Sequence, residues 1–493
     1  MAQDGTSLAA DDAGDDRHDT TRRTFMKAAG AGVGALALGG FSGSATASVG
    51  NPTPRLSTDG KWIVNPDGER VKLRGFSTAS LDFTEIGHSE GWIPYSVEEV
   101  LERATDGEKW HPNTVRIPIT EDPVHDHGMD YVVEDLLRPA IDYLADRGVY
   151  AMIDFHLIRP YVEARANAEG MTEDGWADDD YSHGFNPDVE TDDLLVEFWD
   201  AVAPEFADDE HVIYELYNEP TLPVAWSTYG DYGPEVTSRE DSWLLWRDVA
   251  QPWVDLIREH APETPIIIGS PHWTSETQFA PEYPFEGENL IYASHIYPDN
   301  GYPGEFDEEY GAPAEEVPVV CTEFGWDPDE EFRETVEFGT TSEWGSPFIE
   351  WLESYDNMGW QAWCFDWAWQ PTFFDETSDG WELKDGEEQM GWYIRDVLED
   401  TKDDMIVGES DGDDDDDAPS NLDVTGDGNP AQDLSGDGLY EDITGDGNLG
   451  FNDVVEFFEN HDGDVVQNNV EYFDFSGSGS VGFNDVVALF EML

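Results

Sequence analysis

The chain has 493 residues, with 23 Lys+Arg against 111 Asp+Glu, so its formal net charge is 23 − 111 = −88. A surface this acidic repels a phosphate backbone, which excludes nucleic-acid binding by charge neutralisation. Hydrophobic residues make up 39% and aromatic residues 13% of the chain, which is too much apolar surface for a disordered acidic tail. The composition therefore predicts a large folded core.

The acidity belongs to the main part of the chain and not only to its tail. Residues 48–400 contain 80 acidic and 18 basic residues, a net charge of 18 − 80 = −62, and only six residues of the whole chain are Lys. At about 1 M salt the Debye length falls to about 3 Å, so the self-repulsion of such a surface is screened. We therefore predict a protein of halophilic type, and an ordinary acidic secreted protein is the alternative.

Residues 1–47 have the pattern of an export signal. Arg22 and Arg23 precede a weakly apolar run at 28–41, and an Ala-Thr-Ala sequence ends at Ala47, as in a twin-arginine signal peptide with its cleavage site. The run of about 14 residues is shorter than the roughly 20 that a helix needs to cross a bilayer. We therefore expect secretion by twin-arginine export and no stable membrane insertion.

Between residues 48 and 402, short β-branched runs alternate with helical patterns. Eight candidate strands span 71–77, 113–119, 148–156, 211–217, 265–269, 290–295, 317–323 and 359–365. Helical patterns span 96–105, 130–147, 192–205 and 241–260, and Ser96 with Glu99 forms a capping-box start. Eight βα units in about 350 residues predict an α/β fold, a (β/α)8 TIM barrel, preceded by a hairpin at 55–70.

Polar and aromatic residues follow nearly every candidate strand. In a (β/α)8 barrel the functional groups lie at the carboxyl ends of the strands, so these residues are the candidates for a site. They are Arg116, Asp154, His156, Asn218, Glu219, Trp273, His295, Tyr297, Glu323, Trp363, Asp366 and Trp367. Their number exceeds what random placement would give, and this indicates one shared site.

Two glutamates stand out by their neighbours. Glu219 lies in Asn-Glu-Pro after the fourth strand, and Glu323 in Thr-Glu-Phe-Gly after the seventh. With the other strand-end residues in order, residues 55–400 resemble glycoside hydrolase family 5. The family pattern falls on Arg116, His156, Asn218, Glu219, His295, Tyr297, Glu323 and Trp363.

The resemblance implies a retaining glycosidase with Glu219 as acid/base and Glu323 as nucleophile. Retention needs two carboxyl groups about 5 to 5.5 Å apart, one protonated and one ionised. Apolar surroundings and the negative charge of its partner would keep the acid protonated. Arg116 and Tyr297 would stabilise the ionised nucleophile, and Asn218 would bind the sugar 2-hydroxyl. No cofactor is expected for catalysis.

The remaining family positions imply substrate contacts. His156 and His295 would orient the carboxylates or bind sugar hydroxyls, and Trp363 would form the floor of the −1 subsite, with Trp367 as the alternative. Aromatic residues in the inserts 157–190 and 221–237 are either sugar platforms or packed beneath their own loops. Both interpretations stay open at this stage.

The two cysteines, Cys321 and Cys364, are too few for a disulfide framework. If Glu323 faces the barrel mouth, strand alternation places Cys321 inward as well, whereas Cys364 beside Trp363 faces outward. We therefore expect two free thiols.

An acidic linker at 403–420 leads to a C-terminal module at 421–493, in which a loop-helix pattern recurs after 32 residues. Aspartates at the first and last loop positions, with a glycine between them, are typical of EF-hand Ca2+ loops. The candidate Ca2+ ligands are Asp442, Thr444, Asp446, Asp453, Asp474 and Asp485. The pattern resembles a dockerin, which implies structural Ca2+ and a cohesin-like partner; a solvated acidic tail is the alternative.

Together these features predict a secreted, salt-adapted retaining endo-glycosidase acting on cellulose-like β-1,4-glucan. An endo-β-1,4-mannanase on the same scaffold is the nearest alternative, because several specificities share the same residue set. A non-catalytic glycan-binding or surface-assembly protein is the alternative of another class.

Overall fold

The structure is a computed structural model of the chain. It describes residues 49–162, 189–224, 236–302, 306–329, 332, 335–375, 381–407, 422, 424–425, 430–432, 439–445, 449–461, 463–467, 469–473, 475 and 481–492. The predicted signal at 1–47 and most of the acidic linker lie outside these residues.

Eight parallel strands close into a barrel, as the sequence predicts. A hairpin of β1 (Ser57–Asp59) and β2 (Trp62–Val64) precedes it, and β6 (Ile158–Arg159) pairs with β8 (Glu219–Pro220) outside it. The barrel strands are β3 (Arg74–Thr78), β4 (Thr114–Ile119), β5 (Tyr150–Phe155), β7 (Val212–Glu215), β9 (Ile266–Ile268), β10 (Leu290–Ile296), β11 (Val319–Phe324) and β12 (Met358–Phe365). They follow one another in this order around the barrel, and β12 pairs with β3.

Helices cover the outside of the barrel. They are α1 (Leu81–Glu90), α2 (Val97–Ala104), α3 (Asp122–His127), α4 (Arg138–Arg147), α5 (Thr191–Glu205), α6 (Arg239–His260), α7 (Ser346–Glu353) and α8 (Met390–Asp400). In the C-terminal segment α9 (Phe451–Asn460), a short α10 (Asp464–Gln467) and α11 (Phe483–Glu491) follow. None of the described helices combines the length and the apolar character needed to cross a bilayer.

Local sequence explains the helix boundaries. The Ser96 hydroxyl accepts a hydrogen bond from the Glu99 amide, and the Glu99 carboxylate accepts one from the Ser96 amide, so the predicted capping box forms. The predicted helix 130–147 begins as a π-helical turn, Tyr131–Leu137, before α4. Pro139 has no amide hydrogen to continue the ladder there.

Side-chain alternation divides the barrel strands between two cores. Ile213, Ile267 and Val320 pack inside the barrel, where Leu56 and Ile63 of the hairpin region join them. The intervening strand residues pack against the helices. Because every residue of the long strands is buried on one side or the other, the strands read as near-continuous apolar runs.

A buried ion cluster lies where the strands begin. Glu353 at the end of α7 binds Arg74 through Nε at 2.9 Å and Nη2 at 2.8 Å, and Lys72 Nζ lies 3.0 Å from its Oε2. Burial raises the pKa of Glu353, but the two cations outweigh burial and lower it to about 2. This carboxylate is therefore ionised throughout the physiological range.

Both cysteines are buried and free, which confirms the prediction of two free thiols. The predicted inward direction of Cys321 is wrong. Val320 packs inside the barrel, and Cys321 packs outside it against the helix layer. The register of β11 against β12 shifts between Cys321 and Phe324, and this β-bulge interrupts simple alternation before Glu323.

The described C-terminal residues have a small hydrophobic core of their own. Leu422, Ile443, Phe457, Phe473 and Leu489 are among its fully buried members. Helices α9 and α11 pack on each other and carry the two copies of Phe-Asn-Asp-Val-Val. The repeat in the sequence therefore corresponds to a repeated structural unit.

Candidate active site

Ten polar or aromatic side chains gather at the carboxyl ends of the barrel strands. They are Arg116, Asp154, His156, Glu215, Asn218, Glu219, His295, Tyr297, Glu323 and Trp363. Eight of these were predicted from the family pattern, and Asp154 from its strand end. Glu215 was missed, although a charged residue inside the apolar run Val-Ile-Tyr-Glu-Leu was the available signal.

The carboxyl groups of the two glutamates face each other at the barrel mouth. A carboxylate oxygen of Glu219, one of Glu323 and a ring nitrogen of His295 all lie within 4.8 Å of one another. The side chains remain slightly accessible, since Glu219 is 8% and Glu323 6% exposed. This spacing suits a retaining glycosidase, in which the carboxyl groups are about 5 to 5.5 Å apart.

Glu323 accepts hydrogen bonds that favour its ionised form. The Tyr297 hydroxyl donates to Oε1 at 2.7 Å, and Arg116 Nη1 donates to Oε2 at 3.2 Å. Burial raises the pKa of Glu323, whereas Arg116 and the Tyr297 hydroxyl act to lower it. Both donors favour the ionised carboxylate.

Glu219 lies in surroundings that favour its protonated form. Burial and then the negative charge of Glu323 raise its pKa well above the usual range. A ring nitrogen of His295, Nδ1, lies 2.8 Å from Glu219 Oε1, and Nε2 lies 3.1 Å from the Thr322 hydroxyl. Burial and the Arg116 charge lower the pKa of His295 far enough to keep the imidazole neutral.

Arg116 connects the site to the strands beneath it. Its Nη2 donates to Asn218 Oδ1 at 2.6 Å, and its Nε donates to Glu215 Oε2 at 2.5 Å. Nη2 also lies 3.0 Å from Asp154 Oδ2. The Asn218 amide nitrogen has no hydrogen-bond partner among the described residues. It therefore remains available as a hydrogen-bond donor.

Trp363 forms an apolar wall at the site. Its ring stacks on His156 with centroids 5.1 Å apart and an interplanar angle of 7°, and its Nε1 donates to the Gln370 carbonyl at 3.0 Å. His156 Nδ1 lies 2.6 Å from Asp154 Oδ2. The alternative residue, Trp367, instead packs against the hydrophobic core.

An aromatic row extends from Trp363 toward the barrel rim. Trp369 lies 5.9 Å from Trp363, Phe83 lies 5.5 Å from Trp369, and Trp92 lies 5.2 Å from Phe83, measured between ring centroids. Trp92 is 37% exposed. Phe83 and Trp92 come from the segment after β3, where sequence reasoning found no candidate.

Trp273 lies in a left-handed turn after β9. His272, Trp273 and Thr274 have φ of 60°, 54° and 56°, a conformation that costs energy for residues with a side chain. The Thr274 hydroxyl donates to the Asn218 carbonyl at 2.7 Å and ties this turn to the site. The aromatic residues predicted at 163–188 and 225–235 lie outside the described residues.

The predicted Ca2+ ligands of the first C-terminal loop come together where they are described. The Thr444 hydroxyl lies 3.2 Å from Asp442 Oδ1 and 2.8 Å from Asp453 Oδ1. Asp453 and Asp485 accept hydrogen bonds from the amides of Gly450 and Gly482 at the starts of α9 and α11. Asp446 and Asp474 lie outside the described residues.

Comparison with known proteins identifies one family over most of the barrel. Residues 64–368 match the family model described as cellulase, glycosyl hydrolase family 5. The match spans all eight barrel strands and contains both glutamates. It covers more than half of the chain.

Curated relatives share this region. Endoglucanase C of Evansella cellulosilytica is 25% identical over 363 residues, which is 69% of this chain and 40% of that protein. Cellulase CelDZ1 of Thermoanaerobacterium sp. is 23% identical over 322 residues, which is 62% of this chain and 69% of that protein. The chain thus spans less than half the length of the first of these relatives.

Solved structures share the fold. A β-glucanase of Saccharophagus degradans, solved with cellotetraose, superposes with a TM-score of 0.57 at 20% identity, covering 74% of this chain and 100% of that one. The catalytic domain of Thermobifida fusca endoglucanase Cel5A superposes with a TM-score of 0.50 at 17% identity, covering 70% and 98%. At these identities the likeness concerns the barrel architecture alone.

Proposed function

Because the chain belongs to glycosyl hydrolase family 5, we propose that it cleaves cellulose-like β-1,4-glucan internally, by double displacement with retention of configuration. The observation that carries this proposal is the pair of carboxyl groups, Glu219 and Glu323, with oxygens within 4.8 Å of each other. Burial raises the pKa of both groups, but the charge of Glu323 raises that of Glu219 further, whereas Arg116 and Tyr297 oppose the rise at Glu323. This difference supports the division of roles.

The reaction proceeds in two steps. Glu323 attacks the anomeric carbon as the glycosidic bond breaks, and Glu219 gives its proton to the leaving oxygen. Water then attacks the glycosyl-enzyme ester, Glu219 takes a proton from that water, and Glu323 is released as a carboxylate. Neutral His295 at 2.8 Å orients Glu219 in both steps.

The neighbouring residues bind the sugar at the cleavage point. The free amide hydrogens of Asn218 donate to the 2-hydroxyl, an interaction that strengthens in the transition state. The indole of Trp363 packs on the apolar face of the pyranose. The Tyr297 hydroxyl holds Glu323 until it attacks.

The aromatic row supports a long polymer as the substrate. Trp363, Trp369, Phe83 and Trp92 follow one another at centroid distances of 5.2 to 5.9 Å. A row of this length provides contacts for sugars beyond the one at the cleavage point. This favours an enzyme that binds within a chain, the endo mode.

Activity on defined polymers tests this function. Reducing-sugar release from carboxymethylcellulose and from β-mannan in multimolar salt separates the proposed glucanase from the alternative mannanase. Loss of viscosity well before reducing ends accumulate identifies endo cleavage. Binding to either polymer without any hydrolysis would contradict the proposed activity and support the glycan-binding alternative.

Salt adaptation and secretion complete the proposal. The net charge of −62 over residues 48–400 supports a fold that needs concentrated salt to screen its own repulsion. The Arg-Arg pattern at 22–23 supports twin-arginine export. Melting temperature measured from dilute buffer to multimolar KCl tests the first, and export after replacement of both arginines by Lys tests the second.

The C-terminal module is proposed to hold structural Ca2+. Residues 403–493 contain no Lys or Arg, yet Asp442, Asp453 and Asp485 are all buried. Hydrogen bonds or a cation stabilise a buried carboxylate, and an oxygen-only set of this kind suits Ca2+. Asp442, Thr444 and Asp453 would hold the ion, which would stabilise the fold. Faster proteolysis of the module after addition of EGTA, reversed by Ca2+, is the expected result.

The same module presents an apolar face that supports a protein partner of the cohesin type. Phe451 and Phe458 on α9, and Phe483 and Phe490 on α11, are all more than half exposed and occupy equivalent positions of the 32-residue repeat. Exposed apolar patches of this kind mark interaction sites. Size-exclusion chromatography with a purified cohesin domain tests this, with F451S/F483S as the non-binding control. Self-association without cohesin binding would contradict the proposal.

A further inference from the structure

Two carboxyl groups that the proposed reaction does not use lie directly below the catalytic pair. Asp154 on β5 and Glu215 on β7 are register partners in the barrel sheet. Both are fully buried. One oxygen of each, Asp154 Oδ1 and Glu215 Oε1, accepts no hydrogen bond from the described residues. Burying a carboxyl oxygen without a hydrogen bond costs free energy.

Both groups bind the guanidinium that serves the catalytic residues. Glu215 Oε2 accepts from Arg116 Nε at 2.5 Å, and Asp154 Oδ2 lies 3.0 Å from Nη2. The guanidinium is planar and its N–H directions are fixed. When the pair sets the plane, it also sets the directions in which Arg116 reaches Glu323 and Asn218.

The charges of the site do not balance if every carboxyl of the lower pair is ionised. Arg116 supplies one positive charge, and burial lowers the pKa values of His156 and His295, which leaves both rings neutral. With Glu219 protonated and Glu323 ionised, two further carboxylates would leave this buried group at a net charge of about −2. One retained proton reduces it to about −1.

We propose that Asp154 and Glu215 are positioning residues that share one proton at neutral pH, hold Arg116 in place, and set the alkaline limit of catalysis through Glu219. This inference rests on the proposed role of Glu219 as the acid. Burial raises the pKa of Asp154 to about 7 and that of Glu215 to about 7, against the opposing effect of Arg116.

The groups that face the pair come from several strands. The pair contacts Arg116 on β4, His156 after β5 and Thr322 on β11. Around these groups lie Ser77 on β3, Glu219 on β8, His295 on β10 and Glu323 on β11. Negative charge on Asp154 or Glu215 raises the pKa of Glu219. When the pair loses its last proton, Glu219 therefore stays protonated to a higher pH.

The pH profile of kcat/KM for Glu215→Gln tests the proposal. The amide keeps an oxygen acceptor for Arg116 Nε but cannot ionise, so we expect kcat below the alkaline limb to stay within about threefold of wild type. The alkaline limb should move to lower pH by about half a unit or more. Glu215→Ala removes the acceptor, and kcat should fall about 100-fold with KM little changed.

A matched control comes from the opposite end of the barrel. Glu353→Gln also replaces a partly buried carboxylate that binds an arginine, Arg74, and it should lower the melting temperature without moving the alkaline limb of the pH profile. Asp154→Asn makes the same test from the other member of the pair and should move the limb in the same direction. If the alkaline limb of the kcat/KM profile lies at the wild-type pH in both Glu215→Gln and Asp154→Asn, the proposal is wrong.

Two variants separate the role of Glu219 as the acid from the positioning role of Asp154 and Glu215. If Glu219→Gln keeps wild-type kcat on carboxymethylcellulose, the proposed reaction is wrong. If Glu219→Gln is inactive while Glu215→Gln and Glu215→Ala are both indistinguishable from wild type, the reaction stands and the positioning role is wrong.

Discussion

The two ends of the barrel each bury an ionic cluster, and the two clusters are built in opposite ways. Where the strands begin, Lys72 and Arg74 supply two cations to Glu353, whose pKa falls to about 2. Where the strands end, Arg116 alone serves several carboxyl groups, and the pKa of Glu219 rises well above its usual range. An excess of cations fixes a charge, whereas an excess of carboxyl groups keeps a transferable proton.

This contrast matches the division of labour in barrels of this type, in which one end supplies stability and the other chemistry. Substitutions at the end of the strands should change rate, and substitutions at the beginning should change stability.

Replacing the proposed nucleophile, Glu323, should have the largest effect. Glu323→Gln keeps the shape of the side chain but removes the attacking charge, so we expect kcat to fall by about 10,000-fold, or about 5.5 kcal/mol of activation free energy. Reducing-sugar release from carboxymethylcellulose measures it, and the melting temperature should change little. A fully active variant would contradict the assignment of Glu323.

Replacing Glu353 should affect stability and not rate. Because its pKa is depressed from 4.5 to about 2, Glu353 contributes stability that is present above about pH 4.5 and lost as the pH falls through about 2. We expect Glu353→Gln to lose on the order of 3 kcal/mol of unfolding free energy at neutral pH. Denaturant titrations across the acid range measure this, and a deficit that does not shrink toward acid pH would refute it.

Removing one hydrogen-bond donor to Glu323 should have an intermediate effect. In Tyr297→Phe, Glu323 loses the hydroxyl 2.7 Å from its Oε1, and we expect kcat to fall about 30-fold. The hydroxyl acts to lower the pKa of Glu323, so its removal should move the acid limb of kcat/KM to higher pH. An unchanged acid limb would show that Arg116 alone keeps the Glu323 carboxylate ionised.

The smallest effect is expected at the rim. Trp92→Ala removes the most exposed ring of the aromatic row, and we expect KM for long glucans to rise a few fold, by about 1 kcal/mol, with kcat unchanged. Cellobiose-sized substrates should be unaffected because they do not reach this ring. Equal effects on short and long substrates would show that Trp92 does not contact the distant sugars of a long chain.

The sequence predicted the barrel because the signals for it are local. Each strand is a short apolar run, and each predicted span overlaps the observed strand; for example, 113–119 overlaps Thr114–Ile119. Asn-Glu-Pro after the fourth strand and Glu323 after the seventh were recognisable for the same reason. These features depend on neighbours in the chain, so no distant contact was needed to find them.

The errors and omissions arose where distant contacts decide. A β-bulge at 321–324 reversed the predicted direction of Cys321. Glu215 was missed because its importance comes from Arg116, which lies 99 positions away in the chain. Phe83 and Trp92 join the row because Phe83 contacts Trp369, and no local sequence pattern predicts this contact.

Composition and periodicity are properties of short segments, so the order of the strands, the residues at their ends and the acidity of the chain are readable without the fold. How several carboxyl groups share one guanidinium depends on the folded chain. Closure of the barrel brings Arg116, Glu215 and Glu323 into contact. The pKa of each group then depends on burial and on those neighbours, which exist only in the folded chain.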